Sequence, residues 1–457
     1  MARMAERFDL IVLGGGSAAR DAANTAARKH GARVALVERE RWGGSCPNVA
    51  CKPTKAYLVA AELVRDINEL GPRIGVETGG ARLELARVRA WKETLKKPQD
   101  RWVTELSDQG FATYTGEASF LGPRQVRVGE LVLESDRVLV ATGSRTAVPP
   151  IDGIDEVGWI DHVSALELTE VPSSLLVVGA GAVGLELGQI FSRFGARVTI
   201  VDGLERIAPA ADAEASETLA QALRDEGIEL ATSVLVQSAR RDGAEAVATI
   251  APRDGSDPYD VRAEAILLAS GRVPNLEGLN LEVVGVEATP GGISVDDRLR
   301  TSALGIWAAG DVNAVAQFTP VAQYQARIAV ADMFDEAAVA ADYSVLPTSI
   351  FTDPELGSVG LTEEQAREHG YDVGIGRNAY VTRFSYVDER HGLFKIVFDQ
   401  GDRKVLGLHV VARNAGEVVQ GFSLGVRLRA TVDDLAAMHH IYPTFGEGLK
   451  AAAEKAS

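Results

Sequence analysis

The sequence predicts an α/β protein with two parallel-sheet units built on one βαβ pattern and a separate α+β domain after them. Three observations carry that expectation. A short apolar run near the N-terminus ends in glycines and opens a helix, the same pattern returns at Gly179, and from Pro347 onward the texture changes to alternating strands and helices. At 457 residues the chain is too long for one core of ordinary size. With 46% hydrophobic and 24% charged residues it has an ordinary globular composition and is expected to fold throughout.

The elements follow in order. Phe8 to Leu13 reads as a buried strand ending in Gly14, Gly15 and Gly16, an alanine-rich helix runs to about Lys29, and Val34 to Val37 is a second strand closing on Glu38. Ser174 to Val178 repeats the design with Gly179, Gly181 and Gly184, a helix through Gly188, Ile190 and Phe191, and a strand Val198 to Val201 closing on Asp202. Further strands are expected at Arg137 to Ala141 and Ala265 to Ala269, each followed by a glycine turn, Thr142-Gly143 and Ser270-Gly271. Pro149, Pro150 and Gly153 mark the crossing from the first unit to the second, and Pro274 and Asn275 mark the return. A helix is expected over Val321 to Met333, strands over Leu393 to Phe398 and Val405 to Val411, and helices over Ala415 to Leu428 and Val432 to Met438. The expected organisation is residues 1–150 and 276–340 for the first domain, 151–275 for the second and 341–457 for the third.

The formal charge of −17 disfavours nucleic acid and anionic membrane surfaces, which need a basic face. No run of about eighteen apolar residues appears and the early apolar stretch has no cleavage pattern, so a cytoplasmic protein is expected. Small molecules and a second copy are the expected partners.

Gly14-x-Gly16-x-x-Ala19 follows a strand and opens a helix, so its backbone can turn tightly against a pyrophosphate, which the free N–H groups and dipole of the helix then stabilise. Glu38 is placed to accept from ribose hydroxyls. Gly179-x-Gly181-x-x-Gly184 has the same form, with Asp202 as its acid. These are two Rossmann-like dinucleotide sites. A carboxylate at Asp202 accepts from a 2′-hydroxyl and repels a 2′-phosphate, so NADH is favoured over NADPH, although Arg206 is near in sequence.

The chain has two cysteines, Cys46 and Cys51, inside Gly43-Gly44-Ser45-Cys46-Pro47-Asn48-Val49-Ala50-Cys51-Lys52-Pro53-Thr54-Lys55. A loop this short gains little stability from a disulfide, so the pair reads as redox or metal chemistry, with two buried apolar thiols as the plain alternative. A helix mouth lowers the pKa of a nearby thiol. Leu58, Val59, Leu63, Val64 and Ile67 follow at helical spacing as an expected core-facing stripe.

This segment resembles the active-site signature of the class I pyridine nucleotide-disulfide oxidoreductases, the family that includes dihydrolipoamide dehydrogenase, glutathione reductase and mercuric reductase. The likeness spans nearly the whole chain. It takes in both glycine turns, Ala141-Thr142-Gly143, Ala269-Ser270-Gly271-Arg272, Ala309-Gly310-Asp311, Thr319-Pro320-Val321-Ala322, Phe351-Thr352-x-Pro354-Glu355, Val359-Gly360-Leu361-Thr362-Glu363 and Tyr442-Pro443-Thr444-x-x-Glu447.

The resemblance implies FAD on the first unit, held by Gly14, Gly16, Ser17, Ala18, Glu38, Gly44, Ser45, Thr142, Gly143, Gly310 and Asp311. On the second unit it implies a nicotinamide dinucleotide at Gly179, Gly181, Val183, Gly184, Asp202 and Gly271. Lys55 would pair with Glu186 beside the flavin. Cys51 would take the flavin-facing position, and Cys46 the exposed one that attacks a small acceptor. No resident metal is implied. The last domain resembles the family's interface module, which implies a homodimer with Tyr442 and Glu447 reaching the partner subunit's Cys46.

Most family members have a histidine where this chain has Tyr442, and a phenol does not take up protons at neutral pH as an imidazole does. Mercuric reductases share the tyrosine, which points toward an acceptor needing little proton delivery. They also carry a further cysteine pair near the C-terminus, and Ala453 to Ser457 has no thiol. Ala182 stands where they have a tyrosine, and Lys52 where an apolar residue is common. His440 is a second candidate for proton transfer, with local hydrogen bonding as its plain alternative.

Overall fold

A computed structural model describes residues 5–335 and 339–456. The chain forms two compact units. One comprises Met1–Lys55, Ala90–Ala147 and Gly271–Asp342, and the other Ala56–Arg89, Val148–Ser270 and Tyr343–Ser457.

The first unit is built on a five-stranded parallel sheet in the order Ile306–Ala308, Val138–Val140, Leu10–Leu13, Val34–Glu38, Ala112–Thr115. Leu10–Leu13 lies at its centre and is buried on both faces, which explains its continuous apolar run. The first strand begins at Leu10 rather than Phe8, whose N–H bonds the Glu134 carbonyl outside this ladder. The helix Ser17–His30 buries Ala18, Ala19, Ala22, Ala23 and Ala26, small side chains that let the helix Thr319–Phe334 pack close in the same core. It ends at Gly31 in the left-handed region, where the amide returns to the Ala26 and Ala27 carbonyls. A four-stranded sheet, Glu6–Arg7, Leu131–Glu134, Gln125–Val128, Ala118–Gly122, completes the unit. Its strands are too short to stand out from the sequence.

The second unit holds a four-stranded parallel sheet in the order Glu229–Ala231, Arg197–Val201, Ser174–Val178, Ala265–Leu268, with the helix Ala182–Arg193 following the central strand. An antiparallel meander, Val234–Asp242, Glu245–Pro252, Tyr259–Ala263, is added to it. A five-stranded antiparallel sheet, Thr348–Ile350, Glu355–Gly360, Val405–Ala412, Leu393–Asp399, Val373–Asn378, carries the helices Ala415–Arg427 and Glu447–Glu454 in its core. The architecture is the α/β class expected, with an antiparallel C-terminal domain.

The stretch Ala56–Arg89, placed by sequence within the first domain, clusters with the second unit, because Ala56, Tyr57, Leu58, Ala61 and Leu85 share a core with Leu185, Phe191 and Leu219. Within the helix Cys51–Arg65 the buried face is Ala56, Tyr57, Leu58 and Ala61; Val59 and Leu63, expected inward, are 46% and 57% exposed. Periodicity located an apolar stripe but could not say what covers it. Among the described residues no helix is long and apolar enough to cross a membrane.

Candidate functional site

The first glycine turn is shaped by close backbone approach. Gly14 has φ +127°, and a methyl group there would overlap the Ala141 carbonyl, so the turn lies directly on the Ala141-Thr142-Gly143 loop. Gly16 caps the helix Ser17–His30 in an extended conformation without a side-chain cap, which leaves the first-turn amides, those of Ser17 and Ala18 among them, free of side-chain acceptors. Glu38 closes its strand and accepts from Gly15 N–H at 2.7 Å through Oε2, and from the Glu40 and Arg41 amides at 2.8 and 3.0 Å through Oε1. With three of about four acceptor positions filled, Oε2 retains one for a ligand hydroxyl.

The cysteine loop lies on this turn. A Cβ on Gly44 would come within 2.6 Å of Gly16 Cα, and Gly44 caps the short helix Ser45–Asn48 that carries Cys46. Asn48 fixes the loop by donating to the Trp42 and Gly44 carbonyls at 3.0 and 2.7 Å. Cys51 opens the helix Cys51–Arg65. Both thiols are free, Cys51 exposed and Cys46 half-buried, and the two side chains are hydrogen-bonded. Cys46 is lowered to about 6, first because Cys51 donates to its thiolate, with Thr319, Lys52 and Arg20 acting the same way against burial. Cys51 is pushed up by that same bond, by burial and by the Cys46 charge, while Thr319 and Lys55 oppose the rise. One proton shared between two sulfurs produces this split. Cys51 Sγ lies 3.9 Å from Thr319 Oγ1. Thr319 belongs to a motif quoted from the sequence, yet its contact with the thiols could not be read there.

On the same unit Asp311 accepts from Ser144 Oγ at 2.6 Å, and Arg272 donates to that hydroxyl at 2.8 Å. Gly310 donates to the buried Gln325 Oε1 at 2.7 Å, and a Cβ on Gly310 would lie 3.5 Å from Ala18 Cβ. Thr142 and Asn275 exchange two hydrogen bonds, 2.8 and 2.9 Å. The first unit thus brings Gly14, Gly16, Ala18, Glu38, Gly44, Cys46, Cys51, Thr142, Gly310 and Asp311 into one connected set. Sequence reasoning missed Ser144 and Gln325 and quoted Arg272 only within a motif; their contacts depend on the return of the chain after Gly271.

On the second unit Gly179 repeats the device with φ +112° against the Ala269 carbonyl. Gly181 caps the helix Ala182–Arg193 in an extended conformation, again without a side-chain cap. Asp202 accepts from the Ala180 amide at 2.6 Å and the Leu204 amide at 2.8 Å. Arg206 forms a two-point pair with Glu364 at 3.0 and 2.6 Å. Val183 is partly exposed beside the cap, and Gly271, the expected ligand of this site, falls in the first unit. Glu186, 6% exposed, accepts from the Phe351 amide at 3.0 Å; Lys55 falls in the first unit. Tyr442 is 68% exposed on the single chain; its hydroxyl donates to Thr382 Oγ1 at 3.2 Å, while Glu447 accepts from the Thr382 amide at 3.2 Å. His440 stacks on Phe422, and burial lowers its pKa. No group of three or more His, Cys, Asp or Glu side chains suited to a metal occurs among the described residues.

Residues 8–326 match the family model described as pyridine nucleotide-disulphide oxidoreductase, and residues 346–453 match its dimerisation domain. The chain is 36% identical to mercuric reductase of Staphylococcus aureus over 451 residues, covering 98% of this chain and 82% of that protein. It is 32% identical to mitochondrial dihydrolipoyl dehydrogenase 2 of Arabidopsis thaliana, covering 97% and 89%. Among solved structures, the Cu(II) complex of the HOCl-induced flavoprotein disulfide reductase RclA from Escherichia coli superposes with a TM-score of 0.87 at 27% identity, covering 98% of this chain and 99% of that one.

Proposed function

The chain belongs to the pyridine nucleotide-disulphide oxidoreductase family of NAD(P)H-dependent flavoproteins, and we propose that it reduces a small soft acceptor at Cys46. The acceptor class is a metal ion such as mercuric ion, an oxidised sulfur species or a low-molecular-weight disulfide. The single observation that carries this reading is the placement of two free, neighbouring thiols on a loop packed against the first glycine turn, an arrangement that holds Cys46 toward its thiolate. A thiolate at neutral pH is the form that attacks disulfides and binds soft metals.

The residues fit FAD on the first unit. The helix cap Gly16 has no side chain to compete for the first-turn amides, Glu38 keeps one acceptor position, and Gly44 leaves no Cβ against the turn. Gly14, Gly16, Ser17, Ala18, Gly44 and Ser45 would hold the pyrophosphate side, Glu38 a ribose, and Thr142, Gly143, Gly310 and Asp311 the remaining chain. FAD when bound supplies two-electron exchange between nicotinamide and sulfur. Cys46 carries negative charge to the acceptor, Cys51 donates its S–H to that charge, Thr319 bonds both sulfurs and Lys55 favours the Cys51 thiolate needed to close the pair. The roles of Glu186, Tyr442 and Glu447 are carried over from the family.

For the nicotinamide, Gly179, Gly181, Val183, Gly184 and Asp202 form the proposed site, with Gly271 following the adjacent strand. NADH is favoured: the Asp202 carboxylate, which closes the strand beside the second turn, would repel a 2′-phosphate, and Glu364 neutralises Arg206, a cation near it in sequence that would otherwise attract one. A homodimer is proposed from the dimerisation module and from Val59, Leu63, Ile441 and Tyr442, large side chains left exposed on the single chain.

A dihydrolipoyl dehydrogenase is disfavoured because Tyr442 replaces the proton-handling histidine, and His440 is stacked and held toward its neutral form. The test is NADH oxidation by the purified protein against mercuric ion, cupric ion, lipoamide, low-molecular-weight disulfides and quinones, with the variant Cys46→Ser beside it. Turnover with a soft acceptor that the variant loses supports the reading; undiminished turnover in the variant assigns the activity to direct flavin transfer and defeats it.

A further inference from the structure

Beside Cys46 stands a cation that the electron path does not require. Arg20 lies one turn into the helix Ser17–His30, and the cap of that helix, Gly16, touches Gly44, two residues ahead of Cys46. The Arg20 guanidinium sits over the Trp102 indole, 4.6 Å from the ring centroid, and Lys97 Nζ lies 4.0 Å from the same ring. That indole packs on the cysteine loop: a Cβ on Gly43 would come within 2.7 Å of Trp102 Cε2. The clamp therefore fixes Arg20 against the loop that presents the thiol.

Two hydrogen-bond donors in this clamp are unsatisfied. Arg20 Nε and Trp102 Nε1 are buried with no partner among the described residues, although buried N–H groups are nearly always paired. The adjacent carboxylate, Asp21, is engaged by Arg327 at 2.9 and 2.8 Å, and Lys97 is paired with Glu105. Lys52, exposed and next to Cys51, also acts on the Cys46 charge. In a chain of net charge −17, positive charge concentrated at the reacting sulfur creates a local field opposed to that of the whole surface.

We propose that Arg20 and Lys52 form an anion subsite beside Cys46, and that the acceptor carries a carboxylate or comparable fixed negative charge next to the atom Cys46 attacks. The inference rests on the reading of Cys46 as the sulfur that delivers electrons. With an acidic disulfide, the Cys46 thiolate bonds to one acceptor sulfur, the acceptor S–S bond breaks and one thiolate leaves. Cys51 then gives its proton to solvent and attacks the Cys46 sulfur, a second thiolate leaves, and the Cys46–Cys51 disulfide is restored. The two electrons gained by the acceptor are those of the dithiol, which NAD(P)H renews. Arg20 contributes by holding the anionic substituent and both departing thiolates, a task for which a clamped guanidinium loses little entropy.

The experiment compares charged and neutral reagents of one reactivity class. The reduced protein is alkylated with iodoacetate and with iodoacetamide, and modification of Cys46 is followed by fragment mass spectrometry. In parallel, kcat/KM is measured for 5,5′-dithiobis(2-nitrobenzoate) and for neutral 2-hydroxyethyl disulfide. Arg20→Met is expected to lower the anionic-to-neutral ratio at least about fivefold in both assays, Arg20→Lys to restore most of it, and added salt to compress the wild-type ratio. Equal slowing with both reagents would show that Arg20 only acidifies the thiol or supports Trp102, and would overturn the subsite. If Arg20→Met does not fold, the salt dependence of the wild-type ratio and the variant Lys52→Met decide the matter in the same way. A charge ratio seen in alkylation but absent from a turnover that survives Cys46→Ser would leave the subsite standing and defeat the functional reading instead.

Discussion

The two glycine turns of this chain are nearly the same backbone device and differ in what is set against them. In each, the first glycine has a positive φ and lies on the carbonyl of an alanine after a neighbouring strand, and the helix that follows has no side-chain cap. The first turn is covered: Gly16 meets Gly44, and through it the cysteine loop. At the second turn a Cβ on Gly181 would meet nothing within 4 Å. Two closely similar turns thus differ in their surroundings: one is coupled to a pair of thiols by direct backbone contact, and the other is open at Gly181, as the proposed site for a dissociable dinucleotide requires. The lesson is that a phosphate-binding turn states a ligand class, and its neighbours state the use.

The strongest way to break this contrast is to add one methyl group to each turn. Gly44→Ala places a Cβ against Gly16 Cα at 2.6 Å on a residue with φ +74°, so backbone must move; the expected cost is at least about 2 kcal/mol. The purified variant should retain less than a tenth of the wild-type flavin absorbance and unfold at lower temperature. Gly181→Ala fills open space at φ −81° and should leave flavin content and melting temperature unchanged, while raising the KM for NADH about tenfold because the added methyl meets the bound pyrophosphate. Loss of flavin in both variants, or in neither, would remove the distinction between a covered and an open turn.

A second prediction addresses the thiols. Because the thiolate is the reactive form, alkylation of Cys46 should speed up as pH rises through about 6 and level off above it. Cys51→Ala removes the S–H that donates to the thiolate, the largest cause of the low value, and should move the midpoint upward by more than one pH unit. An unmoved midpoint would assign the acidity to the surrounding charges alone.

Much of this organisation was legible in the sequence, for identifiable reasons. The strands Leu10–Leu13 and Ser174–Val178 are buried on both faces, so unbroken apolar runs before glycine turns located them without reference to the rest of the chain. The acids Glu38 and Asp202 were found because each ends the strand next to its turn. What could not be read was set by distant chain segments. Arg272 reaches Ser144, and through it Asp311, only because the chain returns after the second sheet. Trp102 and Arg20 come together across a gap no local pattern spans, and the strands Gln125–Val128 of the four-stranded sheet and Val234–Asp242 of the antiparallel meander have mixed burial. The stripe Val59 and Leu63 failed for a related reason: helical spacing marks an apolar face, and these two side chains remain exposed on the single chain.

The second turn can be sharpened at Arg206. Its two-point pair with Glu364 occupies a cation four residues after Asp202, the acid proposed to bind the ribose. Glu364→Gln removes the neutralising charge while Asp202 stays in place, so the preference should shift without reversing. The expected result is a rise of about fivefold in the NADPH-to-NADH ratio of kcat/KM, roughly 1 kcal/mol. A ratio that does not change would mean that Asp202 alone sets the preference and that Arg206 lies outside the reach of a 2′-phosphate.

The smallest effect concerns Thr319, the residue that ties the helix Thr319–Phe334 to the first turn's thiols. Its hydroxyl lies 3.9 Å from Cys51 Sγ and stabilises the thiolate of either sulfur, but at Cys46 it ranks behind the bond from Cys51. Thr319→Val keeps the shape and removes the donor, so the Cys46 alkylation midpoint should rise by only a few tenths of a pH unit, in keeping with one weak sulfur hydrogen bond. Flavin content should be unchanged, because the contact is made to sulfur and the valine fills the same space. A shift as large as that of Cys51→Ala would instead place Thr319, not the partner thiol, as the main support of the Cys46 thiolate, and the first turn would owe its chemistry to a helix on the far side of the sheet order from the loop that carries the cysteines.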